Sequence, residues 1–125
     1  MIVTTNGCFD LLHVGHLKLL ETAKSLGYLI VLINSDYSVT ELKGKDRPIN
    51  NQEDRKRMLL ALSCVDEERI FANGQLNKTL NEIRPNYHVK SVNGYKGLEK
   101  ETIESGGGKI ILIEDTHHST TKMLK

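Results

Sequence analysis

The sequence predicts an α/β fold, a doubly wound domain with a mostly parallel five-stranded sheet and helices on both faces. Two observations carry this. Short apolar runs of strand length recur along the chain, and the stretches between them change to helical spacing, the signature of parallel βαβ units with right-handed crossovers. A third is size: 125 residues, 38% hydrophobic and 26% charged, suit one folded core and argue against disorder. Residues 1–125 are therefore expected to form a single domain.

In chain order, Ile2-Val3 opens a short strand. Leu19, Leu20, Ala23 and Leu26 share one helix face, with Gly27 placed as the stop. Tyr28 to Ile33 is a continuous apolar run rich in β-branched residues, as expected for a strand buried on both faces. The polar stretch Leu42 to Asn51, which carries Pro48, reads as an active-site loop. Met58, Ala61, Leu62 and Val65 form a second helical stripe. Ile70-Phe71 is a weaker strand, and Leu76, Leu80 and Ile83 form a third stripe closed by Pro85. Tyr87 to Val92 is a fourth strand, Leu98 to Ser105 a short helix ending at three glycines, and Ile110 to Ile113 a fifth strand. Ser119-Thr120-Thr121 offers an N-cap for a last helix.

Charge and composition exclude several functions. Lys+Arg is 17 and Asp+Glu 16, a net charge of +1, which gives no support for nucleic-acid binding. The longest apolar run is far too short for a membrane span. The N-terminus has no basic flank and no small-residue cleavage site, so no export signal is expected. Cys8 and Cys64 share no metal or disulfide spacing, and Cys64 reads as a small core residue. A reduced, cytoplasmic protein is the expectation.

The first strand–helix junction, Thr5 to His16, carries the chemistry. In doubly wound sheets ligands bind beyond the carboxyl ends of the strands. The junction has neither a dinucleotide fingerprint nor a P-loop. It has His13-Val14-Gly15-His16 at a helix start. Residues i and i+3 share a helix face, so both imidazoles can address one ligand at the positive end of the helix dipole. Gly15 leaves room for a phosphate, and Gly7 permits a tight turn. A metal held by the two histidines with Asp10, or a merely polar helix start, are the competing readings.

The segment GCFDLLHVGH resembles the signature of the cytidylyltransferase-like nucleotidyltransferases, a Rossmann-like superfamily. The resemblance continues through Asn34-Ser35-Asp36, Leu42-Lys43-Gly44, Arg47-Pro48-Ile49-Asn50, Glu53-Asp54-Arg55, Val89-Lys90 and Ser119 to Lys122. The order and spacing are most similar to the adenylyltransferase domain of ADP-heptose synthases, with glycerol-3-phosphate cytidylyltransferases the next most similar pattern.

The resemblance implies attack by a substrate phosphate on the α-phosphorus of ATP or CTP, with release of pyrophosphate. The acceptor would be a phosphorylated sugar or polyol. It implies that His13 and His16 contact the triphosphate, that Lys43 is a movable loop cation, and that Arg55, with Arg47 as a second candidate, reaches the phosphates. Asn6, Gly7, Cys8, Phe9, Asp10, Gly15, Lys90, Asn93, Ser119, Thr120 and Thr121 are the implied nucleotide-binding residues. Asp10 is expected either to hold Mg²⁺ on the triphosphate or to orient an imidazole or the substrate, with a capping carboxylate the plain alternative. Relatives imply a homodimer, and an earlier phosphorylation done by another protein, since no kinase domain is expected here.

The chain departs from the family at Lys90-Ser91-Val92-Asn93-Gly94-Tyr95, where relatives usually read Lys-Gly-Gly-Asp-Tyr. Asp115 to His118 is also unusual. The departure leaves a catalytically inactive nucleotide-binding module as an alternative of another class.

Overall fold

The computed structural model describes residues 1–114. Five strands, β1 (Ile2–Gly7), β2 (Tyr28–Asn34), β3 (Glu67–Phe71), β4 (Tyr87–Ser91) and β5 (Lys109–Ile113), form one sheet in the order β3-β2-β1-β4-β5. Every pairing is parallel, so the sheet is the doubly wound one expected, without an antiparallel edge. Helices α1 (Val14–Lys24), α2 (Asp36–Lys43), α3 (Gln52–Leu60), α4 (Leu76–Ile83) and α5 (Lys100–Ser105) connect the strands.

The central strand explains the two layers. Side chains alternate across a strand. Leu29, Val31 and Ile33 join Val3, Leu20, Ala23, Leu59 and Val65 in one core on the α1 and α3 side. Ile30 and Leu32 join Phe71, Leu80 and Ile103 on the α4 and α5 side. Each such fully buried aliphatic residue stabilises the fold by roughly 1.5–3 kcal/mol. A strand with two buried faces must read as an unbroken apolar run, which is what Tyr28 to Ile33 does. Chain direction across the sheet reverses between β1 and β4, so the switch point lies at the carboxyl ends of those two strands.

Three expectations are corrected. The stretch from Leu42 is not wholly loop, because α2 ends at Lys43. Ser35 caps α2 by accepting from the Ser38 N–H, and only Ser38 and Val39 are buried on it, so its apolar stripe is too sparse to read. The second stripe is not one helix. α3 ends at Leu60, and Leu62, Cys64 and Val65 reach the core through the turns that follow. Gly27 serves less as a stop than as a close approach: α1 is capped at Ser25, and a Cβ on Gly27 would strike the Met1 carbonyl oxygen, which accepts from Tyr28 N at 2.8 Å.

Candidate active site

β1 delivers Asn6 and Gly7 to the switch point, and the chain then turns sharply into α1. Phe9 makes the turn with φ of 47°, a left-handed conformation that costs a non-glycine residue about 1–2 kcal/mol. Burial of its ring offsets this. The ring lies over Gly7, where an added Cβ would sit 3.0 Å from Phe9 Cε2, and 5.2 Å from the His16 ring. Gly7 has no positive φ, so its lack of a side chain serves the close approach of this ring, which an added Cβ would crowd, more than a tight turn.

The two histidines cap α1 with each other. The Gly15 N–H donates to His13 Nδ1 at 3.1 Å, and the His13 N–H donates to His16 Nδ1 at 3.2 Å. The rings stack with centroids 3.9 Å apart. Because each Nδ1 accepts a backbone proton, each neutral ring carries its own proton on Nε2. The pair thus presents N–H donors at a helix N-terminus, where backbone dipoles already favour an anion. A cleft of about 130 Å³ lies against them, lined by His13, Gly15, His16, Ser91 and Ile113 among others.

Asp10 is engaged by the loop after α2. Its carboxylate accepts from Ile49 N at 2.9 Å and Asn50 N at 2.8 Å, and Arg47 Nε lies 3.4 Å away. Asn50 Nδ2 donates back to the Asp10 carbonyl at 2.7 Å. Burial alone would raise the Asp10 carboxyl, but the Asn50 and Ile49 N–H groups and the Arg47 charge outweigh it and hold the group below its ordinary 3.8. Both oxygens are engaged and the residue is only 5% exposed, so Asp10 ties the loop after α2 to the β1–α1 turn and does not fit a magnesium ligand. Arg47 is correspondingly turned toward Asp10.

Arg55 is also engaged within the fold. It is 1% exposed, and all three guanidinium nitrogens are used: Nε to Asn50 O at 3.1 Å, Nη1 to Cys8 O at 2.7 Å and Nη2 to Asp36 Oδ1 at 2.9 Å. A guanidinium so enclosed braces the β1–α1 turn against Asn50 and Asp36.

A larger cleft of about 600 Å³ opens on the other side of β1, lined by Asn6, Gly7, Cys8, Asn34, Lys43, Lys90 and Glu99 among others. Lys43 reaches it from the last turn of α2 and not from a loop. Lys90 Nζ donates to the Asn6 carbonyl at 2.9 Å, and burial depresses its ammonium, with Glu99 opposing. Burial raises the Cys8 thiol despite Lys43 and Arg55, which suits a lining residue and not a thiolate nucleophile.

Asn93 stands exposed in the turn after β4 and lines neither cleft. Ser119, Thr120 and Thr121 lie outside the described residues, as does the segment from Asp115 to His118. Sequence reading missed His88, buried on β4, and Glu99, buried just before α5. Their only signal was a histidine flanked by Tyr87 and Val89 at the start of an expected strand.

Paired imidazoles thus stand at the switch point of a Rossmann-like sheet with a lysine-lined cleft beside them, an arrangement suited to holding phosphates. The chain belongs to the cytidylyltransferase-like family, whose model matches residues 4–122. It is 44% identical over 130 residues to the bifunctional protein HldE of Koribacter versatilis (strain Ellin345), and 42% identical to that of Geobacter sulfurreducens. Each match covers 99% of this chain and 26% of the relative, so the chain spans about a quarter of their length. Among solved structures, the lipopolysaccharide core biosynthesis protein from Thermoplasma volcanium GSS1 superposes with a TM-score of 0.78 at 27% identity. That match covers 91% of this chain and 96% of the other. No helix among the described residues is long and apolar enough to cross a membrane.

Proposed function

We propose that the chain transfers an adenylyl group from ATP to a sugar 1-phosphate of the heptose type, releasing pyrophosphate. The observation that carries this is the stacked His13–His16 pair, its Nε2–H donors at the tip of α1, set against a second, lysine-bearing cleft across β1. The likeness to the HldE proteins and to a lipopolysaccharide core biosynthesis protein supports a sugar acceptor over a polyol.

In this reading the triphosphate lies at the tip of α1 and the acceptor phosphate enters from the larger cleft. An acceptor phosphate oxygen attacks the α-phosphorus. The new P–O bond forms as the bond to the β-phosphate oxygen breaks, and the electron pair leaves with pyrophosphate. The attacker is already an anion, so no base is required. The protein's work is to hold two anions in line and to offset charge growing on the phosphate oxygens. His13 and His16 supply donors there, and Lys43 neutralises the acceptor's approach. Magnesium arriving on the triphosphate would supply further charge neutralisation; both Asp10 oxygens are taken up by Ile49 and Asn50, and no step here depends on it.

The test is pyrophosphate release with ATP or CTP paired with heptose 1-phosphate or glycerol 3-phosphate. ATP with heptose 1-phosphate is expected to be fastest. Preference for CTP with glycerol 3-phosphate would overturn the assignment. Nucleotide binding without turnover of any pair would identify a module that has lost catalysis.

A further inference from the structure

A buried polar cluster lies beneath the larger cleft, and the reaction as described does not use it. His88 on β4 sits directly across from Thr4 on β1, and its side chain is wholly buried. Its Nδ1 is 2.7 Å from Thr4 Oγ1, while its Nε2 is 3.0 Å from Asn6 Oδ1 and 3.4 Å from Glu99 Oε2. Two oxygen acceptors face Nε2, so the ring proton sits there, and Nδ1 accepts from the Thr4 hydroxyl. Burial depresses the imidazole below its ordinary 6.5, with Lys90 acting in the same sense and Glu99 against it, so the ring is neutral near neutral pH. An apolar side chain would fill this position without the cost of burying a polar ring.

The cluster fixes what the cleft floor displays. With Asn6 Oδ1 occupied by His88, the Asn6 amide is held with its Nδ2 donor as the group left for the cleft that Asn6 lines. The Asn6 backbone is held by Lys90. Glu99, 4% exposed, borders the same cleft as a carboxylate that burial would neutralise and that His88 keeps ionised, its carboxyl held below 4.5. A carboxylate repels phosphate but accepts from a hydroxyl. The acceptor's phosphate therefore belongs toward Lys43 and Lys96, and its hydroxyls toward Asn6 and Glu99.

We propose that His88 is a positioning residue that locks the Asn6 amide as a donor and the Glu99 carboxylate as an acceptor, so that this pair reads the hydroxyls of a polyhydroxylated phosphate ester. This rests on the reading of the larger cleft as the acceptor site. Calorimetry with heptose 1-phosphate, inorganic phosphate and ATP as separate probes tests it. Wild-type protein should bind heptose 1-phosphate more tightly than inorganic phosphate. His88→Leu should weaken heptose 1-phosphate about tenfold, with inorganic phosphate and ATP little changed. His88→Gln, which keeps a donor toward Asn6, should recover most of the loss. Should His88→Leu not fold, Glu99→Gln gives the same selective weakening. Equal heptose 1-phosphate binding by wild type and His88→Leu overturns the proposal while the cleft assignment stands. Parallel loss of all three probes, without rescue by Gln, shows a merely structural histidine. Failure of wild type to bind either phosphate overturns the cleft assignment and the proposal together.

Discussion

Replacing Arg55 with Met should cost folding stability first and activity only as a consequence. The substitution removes three hydrogen bonds from a side chain with no exposure. Asp36, which is 43% exposed, recovers water, so the ion pair itself contributes little. The Cys8 and Asn50 carbonyls lose donors supplied by a fully enclosed side chain. Each orphaned buried acceptor costs about 1–3 kcal/mol, and removing one partner of a buried charged network costs about 3–5 kcal/mol in total. At roughly 4 °C per kcal/mol for a chain of this size, Tm should fall by roughly 12–20 °C. Arg55→Lys keeps the charge but not the three diverging donors, and should lose about 1–3 kcal/mol. Urea unfolding of both variants provides the measurement, read as a lower midpoint at constant slope. An Arg55→Met protein as stable as wild type, yet a hundredfold slower, would refute the reasoning and return Arg55 to the phosphates.

Two further outcomes follow from the same geometry. His13→Asn keeps an N-cap acceptor while deleting the imidazole, so its Tm should stay near that of wild type. Its kcat/KM should fall by a factor equivalent to ~3–4 kcal/mol, as for loss of one preorganised donor; retention of full activity would remove the paired imidazoles from the reaction. Stability should decline in two stages on acidification. His88 has its folded pKa depressed, so the unfolded chain binds more protons just below 6.5; the contribution is full above 6.5 and is lost as pH falls through the depressed value. Asp10 and Asp66 are likewise depressed, by backbone donors together with Arg47 and Lys24 respectively, and their contribution is lost below 3.8. His88→Leu should abolish the first stage of a Tm-against-pH profile and leave the second; survival of the first stage would assign it to another group.

Legibility differed by element for physical reasons. β2 announced itself because a strand buried on both faces must be apolar at successive positions, β5 by its run from Ile110 to Ile113 although it is a half-buried edge strand, and α1 because Leu20 and Ala23 recur on one face. α2 was silent because a helix of eight residues capped by Ser35 buries only Ser38 and Val39. The stripe after Met58 misled because turns can also return Leu62 and Val65 to a core. In the site, His13 and His16 were legible because their partnership is local, three residues apart on one helix tip. Arg55 and Asp10 were legible as charged residues near the site but their partners were not, since these include a carbonyl and amides 40 or more residues distant.

The chain's own pattern of apolar runs and its HxGH junction were sufficient to determine the class of sheet and to pair His13 with His16 at one helix tip. Both are consequences of local periodicity and of residues close in sequence. Only the folded structure decided which charges are engaged within the scaffold and which open onto a cleft. Burial and hydrogen-bond partnership are properties of the assembled sheet, where β1 brings Asn6 and Thr4 against His88, more than 80 residues along the chain.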